Sequence, residues 1–365
     1  MTPDEDDLIG NYPNIEYHCL ATLKGHNSYI SSLTLAGKFL YTGSSDNEIR
    51  SWDRSAFTTD PSNERVTGNM VAIGKGAVKS LVVLADKLFS AHQDQKIRVW
   101  KISTDVPQNQ KYTKLATLPT LSDRALKVLA PKNQVQIRRH KKCTWVHHVD
   151  AVSSLTLSSD ESLLYSVSWD RTLKIWRTSD FKCLESVTNA HDDAINAVLA
   201  SADGNIYTGS ADKKIKVWKK LQGNNNHTLV DQLHNHSSGV NALAISSDGS
   251  VLYSGSCDGA MFVWEKDDEG EKMVAVASLP GHSQSILCLA SVSGLVLSGS
   301  ADKTIRIWSG VNRNLSCLAV LQGHQGPVKC LTAAIDPYGP SDSFLVYSGS
   351  LDCSIKVWRI FVPPV

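Results

Sequence analysis

The sequence predicts an all-β fold: seven small sheets set as blades around an axis, closed into a ring by a strand from the start of the chain. Two patterns predict it. An aspartate is followed six residues later by a tryptophan seven times, at Asp46/Trp52, Asp94/Trp100, Asp170/Trp176, Asp212/Trp218, Asp258/Trp264, Asp302/Trp308 and Asp352/Trp358, at 42–50 residue intervals with one wider gap. A fixed pair at such a period marks a repeat architecture. Between the pairs lie short β-branched runs separated by turn residues, four to a repeat, which is the pattern of propeller blades.

The fourth repeat shows how the elements read. "AINAVLAS" alternates apolar and polar residues as a half-buried strand does, "ADGN" is a turn, "IYTGS" a second strand, "ADKK" a tight turn and "IKVW" a third strand. "FKCLESV", just upstream, supplies a fourth. Ile215 and Val217 make one face of the third strand apolar and Trp218 the other. A sheet apolar on both faces needs neighbours on both sides, and radial packing provides them.

These residues make the chain resemble the WD40-repeat proteins over about 340 residues. The resemblance implies a structural tetrad in each blade. Besides the paired Asp and Trp, it takes a hydroxyl four residues before each aspartate: Thr42, Ser90, Ser166, Thr208, Ser254, Ser298 and Ser348. It also takes a histidine ahead of the first strand: His26, His148, His191, His236, His282 and His324. Blade two holds Gly74 there, so its tetrad is expected to be incomplete. Indole N–H, hydroxyl, imidazole and carboxylate can link in series, leaving few buried polar atoms unpaired. The Trp-Asp dipeptide survives only at Trp52-Asp53 among the repeat tryptophans, so spacing carries the likeness.

Closure is readable as well. The last repeat ends at Trp358-Arg359-Ile360 without a fourth strand, while "YHCLATL" at 17–23 resembles the fourth strand "NLSCLAVL". The N-terminal run is therefore expected to pair onto blade seven and cover its edge. The expected division is an acidic tail at 1–16, a propeller at 17–360 with a basic insertion at 119–147, and a tail at 361–365.

Composition narrows the function classes. Of 365 residues, 42% are hydrophobic and 20% charged, which suits a globular protein with a sizeable core. A net charge of +1 gives no ground for nucleic-acid or membrane binding. No apolar run approaches the roughly 20 residues of a membrane span, and the acidic start, Met1 to Asp7, lacks a signal-peptide core. Eight cysteines without a CxxC pair suit a reducing compartment, cytoplasm or nucleus.

The pattern breaks between blades two and three. Trp100 to His148 spans 48 residues, against 15–22 from tryptophan to histidine position elsewhere. Ser122 can cap a helix over 123–130 that Pro131 stops, and "VQIRR" alternates like a strand. The run "RRHKK" followed by a tryptophan is similar to an insertion in the plant subgroup of WD40 proteins typified by JINGUBANG, which implies a regulatory interaction protein of a plant cell. The residues themselves read either as a solvated loop over the blade junction or as a docking patch, Arg138, Arg139, Lys141 and Lys142, for an acidic or phosphate-bearing partner. Nucleic acid is a lesser reading, and "RRHKK" also fits a weak nuclear-entry signal. Elsewhere, 54–65 reads as a polar, mobile loop, 336–342 as a longer hairpin, and Phe262 stands where six repeats hold Lys or Arg.

Nothing reads as catalytic. A reactive constellation is not copied in every blade, so the repeated His and Asp are structural. His140, Cys143, His147 and His148 match no standard zinc spacing, "GKG" at 74–76 is too short for a phosphate loop, and no Gly-x-Ser-x-Gly or HExxH occurs. No enzyme activity, metal or cofactor is expected. The expected function is a scaffold or adaptor that presents a rim to a protein or peptide. Rim positions lie three and five after the histidine and one before the aspartate. The larger residues there, Tyr29, Lys79, Gln93, Trp169, Leu287, Lys329 and Leu351, form the candidate site, with Trp169 either open or covered by the insertion. The alternatives are a substrate receptor of a cullin-type ubiquitin ligase, although Trp52-Asp53-Arg54-Ser55 misses the final Arg of the usual motif, and nucleic-acid binding through the insertion.

Overall fold

The computed structural model describes residues 15–58, 68–106, 109–123, 134–138, 141–221, 223, 226–267, 269–270, 272–311, 314–337, 339–340 and 342–363. It is a seven-bladed β-propeller, each blade a four-stranded antiparallel sheet. In blades one to six the strands follow chain order from the inner to the outer edge. Blade seven takes its outer strand from the start of the chain: Glu16–Leu23 pairs with Ile355–Phe361, with Cys19 opposite Trp358 and Leu23 opposite Ile355. Lys356 Nζ adds a 2.9 Å bond to Thr22 Oγ1 across that pair.

The tight turn between the second and third strands has a local cause. The residue after each repeat aspartate lies in the left-handed region: Asn47, Gln95, Arg171, Lys213, Gly259, Lys303 and Cys353 all have positive φ. In six blades the aspartate Oδ1 accepts the amide of the residue two further on, at 2.9–3.0 Å, so the side chain itself holds the turn.

The cores lie between blades. Tyr41 and Ile49 of blade one pack with Val78, Leu88 and Trp100 of blade two, and the other junctions repeat the arrangement. At the closing junction a Cβ on Gly349 would lie 2.6 Å from Ile30 Cγ2, so blade one seats on blade seven only because that position is bare.

One segment differs from the sequence reading, and a second is described only in part. The start of the supposed polar loop 54–65 forms a helical turn, Ser55–Thr58, that buries Phe57 at 2% exposure beside Leu23, Trp52 and Leu345. One aromatic in a polar run was enough to anchor the chain, because it can reach the blade one/seven core. The helix expected over 123–130 is seen only as Leu121–Asp123, since 124–130 lie outside the described residues. The insertion then makes a two-stranded hairpin, Gln134–Arg138 with Lys141–Thr144. Its ends are tied down: Asp123 accepts the Cys183 amide at 3.1 Å, and Val146 is buried between blades two and three.

Candidate functional site: the rim and the tetrads beneath it

The tetrads build the rim from below. In blade four His191 Nδ1 lies 2.8 Å from Asp212 Oδ2, His191 Nε2 lies 2.8 Å from Thr208 Oγ1, and Trp218 Nε1 donates to the same hydroxyl at 2.9 Å. Blades one, six and seven repeat this relay within 2.7–3.0 Å through His26, Thr42, Asp46 and Trp52, through His282, Ser298, Asp302 and Trp308, and through His324, Ser348, Asp352 and Trp358. In blades three and five the imidazole–carboxylate step is longer, 3.3 Å for His148–Asp170 and 3.4 Å for His236–Asp258. Their hydroxyls still tie histidine to tryptophan, Ser166 to Trp176 and Ser254 to Trp264. In blade three Thr172 bonds the ring at 2.9 Å. In blade five Phe262, in place of the cation, sets its ring edge-on to His236 at 4.7 Å.

Blade two was expected to have an incomplete tetrad, and its relay does lack the imidazole–carboxylate step, but the structure supplies an imidazole that the sequence reading did not foresee. His92, two residues after Ser90, turns inward and places Nε2 2.8 Å from Ser90 Oγ, while Trp100 Nε1 donates to that oxygen at 2.9 Å. His92 Nδ1 meets the Gly76 carbonyl at 3.0 Å, not a carboxylate. Asp94 leaves the relay and pairs with Arg98. The other blades hold serine at the position of His92, which is why local reading passed over it. The available signal was a histidine lost at 74 and gained at 92 in the same repeat.

Electrostatics follow from burial. Burial pushes His92 down to about 4, opposed by the Gly76 carbonyl and aided by the Arg98 charge. Burial likewise holds His148, His236, His282 and His324 below the ordinary imidazole range. Burial opposes ionisation of Asp46, Asp212 and Asp352, yet bonds from their histidine and from backbone amides (with Ser354 also on Asp352) bring each down to about 2. Each of these three carboxylates is engaged with its histidine, Asp46 with His26, Asp212 with His191 and Asp352 with His324. His26, Asp46 and Glu48 have ligand atoms within 4.8 Å, but His26 and Asp46 already bond each other. His148 is likewise in its tetrad, while His140 and the side chain of Cys143 lie outside the described residues.

Above the tetrads one backbone bond recurs in all seven blades. The residue before the repeat aspartate donates its N–H to the carbonyl three after the histidine position: Ser45 to Tyr29, Gln93 to Ala77, Trp169 to Ala151, Ala211 to Ala194, Cys257 to Gly239, Ala301 to Ser285 and Leu351 to Pro327, at 2.9–3.1 Å. The third rim position is a bulge. Each inner strand skips one residue in register, namely Ser31, Lys79, Ser153, Asn196, Asn241, Leu287 or Lys329. A bulge re-aims its side chain, and all seven line a central channel of about 460 Å³.

Four of the seven are occupied in holding the ring. Ser31, Ser153, Asn196 and Asn241 bond carbonyls of the next blade, Val78, Ile195, Val240 and Ile286. Lys79, Leu287 and Lys329 make no such bond. Lys79 Nζ instead stands 5.3 Å from the ring centroid of Trp169, which is 39% exposed and so not covered among the described residues. Bonding from Ser45 draws the Tyr29 hydroxyl below its ordinary value against burial, helped by the charges of Lys79 and Lys329 on either side. Tyr29, Lys79, Trp169, Leu287 and Lys329 thus meet at the channel, whereas Gln93 and Leu351 are exposed outside its lining. The side chains of Arg138, Arg139, Lys141 and Lys142 lie outside the described residues. Arg54 is bonded to Tyr347 Oη at 3.0 Å and Asp53 to Ser55, so this pair folds back onto the propeller.

The family description "WD domain, G-beta repeat" matches residues 17–53, 140–177, 181–219, 227–265, 273–309 and 315–359. The chain belongs to the WD40-repeat family. The matched stretches leave out 54–139, which contain all four strands of blade two, the blade whose relay departs from the others. Similar curated proteins include the small ribosomal subunit protein RACK1 of Drosophila melanogaster, 34% identical over 27% of this chain and 30% of its own. Autophagy-related protein 16 of Arabidopsis thaliana is 22% identical over 67% of this chain and 48% of its own. Nuclear distribution protein PAC1 of Arthroderma otae is 25% identical over 93% of this chain and 60% of its own. The chain thus matches between 30% and 60% of the length of these relatives. The WD40 propeller domain of Doa1 aligns over 94% of this chain and 96% of its own, with a TM-score of 0.68 at 22% identity, a likeness of fold. Among the described residues no helix is long and apolar enough to cross a membrane.

Proposed function

We propose that this WD40 propeller is a non-catalytic scaffold that holds an acidic or phosphorylated protein segment at the channel mouth. The observation that carries the reading is the half-open Trp169 with Lys79 over its ring. An exposed indole beside a cation offers apolar area and a charge to a carboxylate or phosphate at one point. Lys329 adds a second cation across Tyr29. Every tetrad histidine and aspartate is already hydrogen-bonded within the ring, which supports binding over chemistry. The insertion's likeness to the JINGUBANG-type subgroup supports a regulatory role in a plant cell, in cytoplasm or nucleus.

The test is affinity capture from plant extract with the wild type, Trp169→Ala and Lys79→Glu/Lys329→Glu, followed by identification of the captured proteins. Both variants are expected to keep the wild-type melting temperature and to lose the captured partners. Equal capture by folded variants rejects the rim site.

A further inference from the structure

The propeller departs from its own repeat at blade two, and there it opens a groove of about 720 Å³ beside the stem of the insertion. Trp100 lines the groove and is 8% exposed, against 1–5% for the other six repeat tryptophans. The walls carry three aliphatic side chains that face solvent: Ile73 at 60% exposure, Leu115 at 46% and Leu121 at 80%. Isolated exposed apolar residues are ordinary, but three on one concave surface mark an interaction site.

The charge of the same surface is one-sided. Lys75, Lys96, Lys114 and Arg98 line it, and among the described residues no aspartate or glutamate does. Arg98 is paired with Asp94, while the three lysines make no salt bridge among the described residues. In a chain of net charge +1 this is a local concentration of charge, not a general property of the surface. Like charges around one concavity repel until a counter-charge enters it.

We propose that this groove binds a short acidic segment of a partner protein that also carries aliphatic or aromatic side chains. Carboxylates answer the lysines, and apolar side chains cover Ile73, Leu115 and Leu121. The volume suits a few side chains rather than a folded domain. A small anion would leave the aliphatic wall bare. A nucleic-acid strand calls for exposed aromatic platforms, and among the described lining residues the only aromatic ring besides His147 is the nearly buried Trp100. The site is separate from the rim and stands or falls independently of it.

The test is selection of a phage-displayed random dodecamer library on the Trp169→Ala protein, which removes the rim site. Selected peptides are expected to be rich in Asp and Glu with Leu, Ile or Phe. Affinity of the best clone should fall by about tenfold or more in Lys75→Glu/Lys114→Glu and in Leu115→Asp/Leu121→Asp, and weaken with added salt. All four positions are exposed, and melting temperature and near-UV circular dichroism confirm the fold of each variant; if the charge-reversed pair unfolds, Lys75→Gln/Lys114→Gln takes its place. Peptides without acidic bias, or equal affinity for folded groove variants, overturn the proposal. Displacement of the clone by a single-stranded RNA dodecamer at lower concentration than free peptide overturns it in favour of nucleic acid.

Discussion

The imidazole of His92 fills the space that Gly74 leaves empty: a Cβ on Gly74 would lie 2.8 Å from His92 Cε1 and 2.9 Å from Nδ1. Two substitutions eighteen positions apart therefore form one unit, in which a ring enters from the second strand because the loop has given up its own.

This coupling is measurable by urea denaturation. Gly74→Ala is expected to destabilise by about 1–3 kcal/mol through overpacking against a ring that cannot retreat. His92→Ser alone removes the imidazole and should cost a similar amount, about 1–3 kcal/mol. Gly74→His/His92→Ser rebuilds the arrangement of the other blades. It should be less destabilised than the sum of Gly74→His and His92→Ser by about 0.5–3 kcal/mol. Additive effects would show that the two positions do not share one space.

His92 also sets a direction with pH. The unfolded chain takes up a proton near 6.5, whereas buried His92 does so only near 4. The unfolded state thus binds more protons between those values, and stability falls as pH drops through the window, by roughly 3 kcal/mol at about 1.4 kcal/mol per unit. Thermal melts at pH 7 and pH 4.5 should show a larger loss for the wild type than for His92→Gln. Asp46, Asp212 and Asp352, lowered from 3.8 to about 2, lose their contribution only in the more acid window between those values.

Asp212→Ala removes the partner of His191 Nδ1 and the acceptor of the Asp192 and Lys214 amides. A cost of about 1–3 kcal/mol is expected. An unchanged melting temperature would deny the relay a role in stability.

Leu23 is 2% exposed in the cluster that joins blade seven to blade one. Leu23→Ala is expected to cost about 2–5 kcal/mol. Amide exchange should accelerate first in its partner strand Ile355–Phe361. Uniform acceleration over all blades would argue against a locally fastened closure.

What sequence made legible were features that depend on neighbours along the chain. A hairpin turn held by an aspartate, with an indole one strand further, repeats at fixed spacing because every blade needs the same local geometry. The closing strand was legible because it resembles its counterparts in other blades. Phe57 and His92 were not, since each resembles nothing at its own position elsewhere.

By itself, then, the sequence determined the number of blades, the identity of most hydrogen-bonding side chains and the residues that approach the rim. Only the tertiary structure decided which of these remain available. Asn196 and Asn241 occupy the same rim position as Lys79 and Lys329, but the neighbouring blade takes their side-chain amides. Lys79 and Trp169, from blades two and three, are ninety positions apart and meet only because the ring brings those blades together. Spacing along a chain specifies what a residue can offer. Packing between blades, which joins residues far apart in sequence, determines whether anything is left to offer.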